Sequence, residues 1–75
     1  MVLIKTFVRE DLTTRAQDAV DASYTVFDRD GAMFVQFNTC GSLSRKIPGK
    51  TSQTFQLDES SARELFDILK NTFKL

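Results

Sequence analysis

The chain has no histidine, no tryptophan, one cysteine, one proline and no long apolar run. Each absence removes a class of function. Without His, the Ser–His and Cys–His pairs that activate a nucleophile cannot form. Without His and with Cys40 alone, no zinc ligand set can be assembled, and no internal disulfide is possible. Cys40 has no base beside it in sequence and reads as a small residue at the end of a strand. No apolar stretch reaches the length needed to cross a bilayer. Lys5 interrupts the opening Met-Val-Leu-Ile, so no signal-peptide core is present and a cytoplasmic protein is expected.

Seventy-five residues make one domain. A core of that size is marginal, and small domains rely on disulfides, metals or association. With the first two excluded, and seven Phe to bury, a homodimer is expected.

The clearest element is a C-terminal amphipathic helix. Asp58 is placed to cap it, and Glu59 puts a second negative charge at the positive end of the helix dipole. Lys70 and Lys74 fall in the last turns. Ala62, Leu65, Phe66, Leu69 and Phe73 recur at spacings of three and four, and Ile68 widens the stripe. Leu65 and Leu69 are expected at the centre of the buried face. Just before the helix, Thr51 to Leu57 alternates as a half-buried strand does: Phe55 and Leu57 on one side, Ser52, Thr54 and Gln56 on the other.

Val2 to Val8 reads as a first strand. Leu12 to Ala22 has two readings, a short helix opened by Thr14 and Gln17 or an irregular acidic connection. Ser23 to Cys40 reads as a hairpin, because Asp30-Gly31 is a strong two-residue turn. That turn sets Arg29 opposite Ala32, Phe27 opposite Phe34, Val26 opposite Val35 and Tyr24 opposite Phe37. One face then carries Tyr24, Val26, Met33, Val35 and Phe37 and is expected to receive the helix. The other carries Thr25, Phe27, Phe34, Gln36 and Asn38. Thr39 to Gly49 reads as a loop with Arg45 and Lys46 at its centre and a turn at Pro48-Gly49. The expected fold is α+β: an antiparallel sheet of about four strands with the C-terminal helix packed on one face.

Net charge is zero, but it is unevenly spread. Between Glu10 and Asp30 there are six acidic and two basic residues; between Gly31 and Leu57 there are Arg45, Lys46 and Lys50 and no acid. The carboxylate pairs Asp28/Asp30 and Asp58/Glu59 are explained by a turn and a helix cap, so neither points to acid–base catalysis. Pro48-Gly49-Lys50 is too short for a phosphate-binding loop. No cofactor is implied, and a non-enzymatic role is expected. What remains is a binding surface. Gln36, Asn38, Thr54 and Gln56 supply amides and hydroxyls, Phe27 and Phe34 flat apolar groups, and Arg45, Lys46 and Lys50 the cations, the combination that single-stranded nucleic acid uses.

The order of elements, with Ile47, Pro48, Gly49 and Lys50, then Leu57, then the stripe Leu65, Leu69 and Phe73, resembles the positive-cofactor-four transcriptional coactivator family and its small bacterial relatives. The resemblance covers about half the chain. Thr51 to Gln56 is longer than the family's strand and lacks its Gly after the Lys. It implies four antiparallel strands and a helix, a homodimer, and single-stranded DNA bound by sheet and basic loops. The alternative from a different class is a protein-interaction module, a subunit or inhibitor docking through a sheet edge or the acidic segment 10–30.

Overall fold

The computed structural model describes residues 1–40 and 51–75, and side chains from residue 53 onward in the second part. The chain forms β1 (Val2–Ile4), β2 (Ala22–Arg29), β3 (Ala32–Cys40), β4 (Thr51–Leu57) and α1 (Glu59–Phe73). The four strands make one sheet in the order β1-β4-β3-β2, so the fold is α+β with a mixed, mostly antiparallel sheet.

The hairpin forms as its turn requires. Asp30 and Gly31 both have positive φ, 54° and 83°, which is the backbone of the primed turn whose twist matches that of the strands. The register pairs Arg29 with Ala32, Phe27 with Phe34, Val26 with Val35 and Tyr24 with Phe37, as read from the sequence. β4 extends this register across β3, with Phe55 opposite Phe37, Gln56 opposite Gln36 and Leu57 opposite Val35. Because side chains alternate, the apolar and polar sets of all three strands fall on opposite faces.

Two expectations are corrected. The first strand stops at Ile4 rather than Val8, and it pairs with β4 in parallel rather than antiparallel. Three apolar residues suffice to complete the edge, and no turn ties β1 to its neighbour in sequence, so orientation is decided by packing alone. Residues 5–21 contain no helix and no strand, in keeping with the irregular reading of Leu12 to Ala22.

The helix starts where expected but sits differently. Asp58 caps it, and Ser61 completes a reciprocal capping box: Ser61 N donates to Asp58 Oδ1 at 2.9 Å and Asp58 N donates to Ser61 Oγ at 3.1 Å. These bonds let Ser61, fully buried, lie against the sheet without an unmet polar group. The contacts of α1 with the sheet are centred on β4, the strand that leads into it. Leu57, 2 % exposed, and Ser61 are the buried residues among those described, so the core is this strand-to-helix junction. Leu65 is half-buried, but Leu69 is 40 % exposed, against the expectation that both would be central. A helix that begins one residue after a strand pivots at that junction. Its first turns touch the sheet and its later turns move away.

The molecule is open. Its radius of gyration is 14.4 Å, where about 11 Å is usual for a compact chain of this length. Among the described residues, no helix is long and apolar enough to cross a membrane.

Candidate nucleic-acid interface

The polar face of the sheet is built from alternate residues of β2, β3 and β4. Of the residues picked out from sequence, Phe34, Gln36, Asn38, Thr54 and Gln56 come together on it. Their polar ends form one connected network. Gln56 Nε2 donates to Gln36 Oε1 at 2.9 Å, and Gln36 Nε2 donates to Asn38 Oδ1 at 3.1 Å. Thr54 Oγ1 donates to the same Asn38 oxygen at 3.0 Å, and Asn38 Nδ2 reaches Ser23 Oγ at 3.4 Å. Cross-strand pairing explains the network, since Gln36 lies opposite Gln56 and Asn38 opposite both Thr54 and Ser23.

The network orders the amides without exhausting them. Each NH2 group has two donors, and only one donor of Gln36 and one of Asn38 is used within the face. Side chains already held in place lose less rotamer freedom when a ligand arrives. Towards the β2–β3 turn the face becomes aromatic. Phe27 and Phe34 stack across the strands, with ring centroids 5.4 Å apart and planes 14° apart. Both are half-buried, so each keeps part of its ring surface open.

Arg45, Lys46 and Lys50, with the Pro48-Gly49 turn, lie outside the described residues. The structure instead brings forward a cation that the sequence reading left out of the site. Arg29 pairs with Ala32 and shares the face of Phe27, next to the aromatic stack. It is exposed and forms no ion pair among the described residues. The hairpin register already carried this information, because Arg29 and Phe27 have the same parity. Ser23 and Met1 also enter the face: Met1 Sδ accepts from Gln56 Nε2 at 3.7 Å. Met1 arrives through the parallel β1–β4 pairing, for which the sequence holds no local signal.

Cys40 is a free, half-buried thiol at a strand end, and its backbone N–H donates to Asp21 O at 2.9 Å. Among the described residues, no cluster of His, Cys, Asp and Glu could hold a metal ion. The Asp58 carboxyl is held below the usual carboxylate range, first by the Ser61 backbone N–H, then by the Ser61 hydroxyl, with Lys5 adding to both. Lys5 Nζ lies 3.4 Å from Asp58 Oδ2 and ties the segment after β1 to the helix cap.

The opposite face carries a second aromatic row that the register predicts only in part. Tyr24, Phe37 and Phe55 run across three strands, with centroid separations of 6.3 Å and 5.2 Å. The helix does not cover the outer end of this row, and Tyr24 is 69 % exposed. No family model, curated protein or solved structure matches the chain.

Proposed function

We propose that this chain is a non-enzymatic nucleic-acid-binding protein, directed to single-stranded DNA or RNA and acting as a homodimer. The observation that carries the reading is the polar sheet face. It joins ordered amide donors to a stacked Phe27/Phe34 pair, with Arg29 at its rim. Bases of a single strand stack on such rings and offer their edges to amides, and cations meet the phosphates. Arg45, Lys46 and Lys50 add positive charge in the connection between β3 and β4. The resemblance to the positive-cofactor-four family points to the same ligand and to the same dimeric state.

Fluorescence anisotropy with single-stranded oligonucleotides tests it. Binding is expected at low salt, weakening with a log–log slope of about −0.7 for each phosphate neutralised. Replacing Lys46 and Lys50 by Ala should lower the magnitude of that slope by about 1.4 per chain engaged, with little change in base preference. No binding at low salt would sink the reading.

One observation favours the interaction-module reading as the second choice. β2 is an outer strand of eight residues whose far side has no strand beside it among the described residues. Such an edge accepts an added strand from a partner. Under that reading the lysine substitutions leave every nucleic acid unaffected.

A further inference from the structure

Two apolar surfaces of this chain are uncovered, and they match each other. The first is on the sheet, where Tyr24, Val26 and Met33 are 69, 57 and 56 % exposed. The second is on the helix, where Phe66, Leu69 and Phe73 are 63, 40 and 66 % exposed. Phe66, Leu69 and Phe73 lie off the side of the helix that meets the sheet. The side of α1 that meets the rest of the chain runs through Ser61, Glu64 and Ile68: Phe7 N donates to Glu64 Oε1 at 3.4 Å, and Ile68 borders a cleft with Phe7, Val8 and Arg9. Phe66, Leu69 and Phe73 are centred roughly 140° round the helix from that side. Between the start of the helix and the sheet is an open apolar notch of about 230 Å³, lined in part by Val26, Met33, Val35, Leu57, Glu59 and Ala62.

We infer that the occupant of this notch is the helix of a second copy of the chain, and that the contact is reciprocal. Each helix would lay Phe66, Leu69 and Phe73 on its partner's Tyr24, Val26 and Met33. The inference deepens the homodimer part of the proposed function and rests on it. Three observations select a second copy over another occupant.

The first is area. The chain exposes 6769 Å², where a compact monomer of 8.5 kDa exposes about 4,700 Å². The exposed side chains of both apolar patches contribute to that excess, and a stable interface takes ~800 Å² from each partner. The second is dimension. The stripe from Ala62 to Phe73 is about 16 Å long, and the patch from Tyr24 to Asp28 spans about 13 Å along the strand. The third is charge. Asp28 shares the face of Tyr24 and Val26, and Asp30 follows it in the turn, so the patch ends in two anions. Lys70 and Lys74 flank the helix stripe at its far end. Among the described residues none of these four makes an ion pair. A partner helix whose last turns lie over the β2–β3 turn brings Lys70 and Lys74 to Asp28. Two-fold symmetry then makes the same contact twice and closes the assembly.

Sedimentation equilibrium on the full chain and two charge variants tests this. Lys70→Glu/Lys74→Glu places acids on the helix against acids on the sheet; Asp28→Lys places bases against bases. Each variant alone should dissociate on the order of tenfold more readily, since two exposed pairs are lost and two repulsions gained. An equimolar mixture should restore the parent affinity, because both contacts of the mixed dimer are then attractive. Circular dichroism checks that each variant folds, and the altered residues are exposed, so the fold is expected to persist. A dimeric parent unaffected by the variants overturns the reciprocal contact and leaves the homodimer standing. A variant pair that weakens without rescue on mixing overturns it as well. A monomeric parent removes both. Oligonucleotide binding is measured separately by anisotropy, so its failure is distinguishable from each of these.

Discussion

The two faces of the sheet have the same strands and the same twist, yet only one of them is complete. On the polar face Gln36, Asn38, Thr54 and Gln56 satisfy one another within a single chain, and water can satisfy what is left. On the apolar face Tyr24, Val26 and Met33 have no such recourse. A hydrogen bond is a pairwise matter that a neighbour two residues away can settle. Removing apolar surface from water needs a covering layer, and one 15-residue helix hinged at Asp58 covers only the β4 side. The comparison teaches that an element pattern can be right while the layer it implies covers only part of the face.

The sharpest way to break the comparison is at the one place where the apolar face is covered. Leu57→Ala should destabilise the chain by about 2–5 kcal/mol, read in a chemical or thermal melt, because Leu57 is the buried centre of the junction. Leu69→Ala should cost under about 1 kcal/mol in dilute protein and more as concentration rises, since in the proposed dimer its burial comes from the second copy. Equal losses for the two at every concentration would show that α1 lies on its own sheet after all.

The next largest effect belongs to the polar face. Phe34→Ala should weaken single-strand binding by about 1–3 kcal/mol per base stacked and leave the salt slope nearly unchanged. Arg29→Ala should do the reverse, reducing the magnitude of the slope by about 0.7 with a smaller loss of affinity. Anisotropy titrations at several salt concentrations separate the two. A change in slope for Phe34→Ala would mean the stack is not where bases bind.

Register ties the faces together, and Gly31 holds it. At φ +83° an alanine is strained although nothing lies within 4 Å of its Cβ, so Gly31→Ala should cost about 1 kcal/mol through backbone conformation alone. A neutral melt would place the control of register in the cross-strand pairs instead.

The smallest effect is the pH dependence of the helix cap. The Asp58 carboxyl is lowered in the folded chain by the Ser61 N–H and hydroxyl and by Lys5. The folded state therefore binds its proton less readily than the unfolded state. The stabilisation is fully present above the unfolded carboxylate pKa of about 4 and is lost as pH falls through the folded value. Asp58→Asn keeps an acceptor for Ser61 and should flatten this limb of the stability–pH curve. An unchanged acid limb would assign it to other carboxylates.

Much of this was legible before any coordinates. The hairpin register followed from Asp30-Gly31, because only a tight primed turn joins strands through two residues, and the turn fixes every pair behind it. The bounds of β4 and the Asp58 cap followed from alternation and from a carboxylate next to free N–H groups. Parity likewise grouped Gln36 with Asn38 and Thr54 with Gln56, each pair on one side of its own strand. These are local properties, set by interactions between residues near in sequence or joined by one turn. The parallel β1–β4 pairing, the arrival of Met1 beside Gln56, and the angle at which α1 leaves the sheet were decided only in three dimensions. Each joins residues from distant parts of the chain, and there competing packings differ by the area they bury rather than by any local preference. The periodicity of α1 established that Phe66, Leu69 and Phe73 share one side; whether that side meets its own sheet depended on the pivot after Leu57.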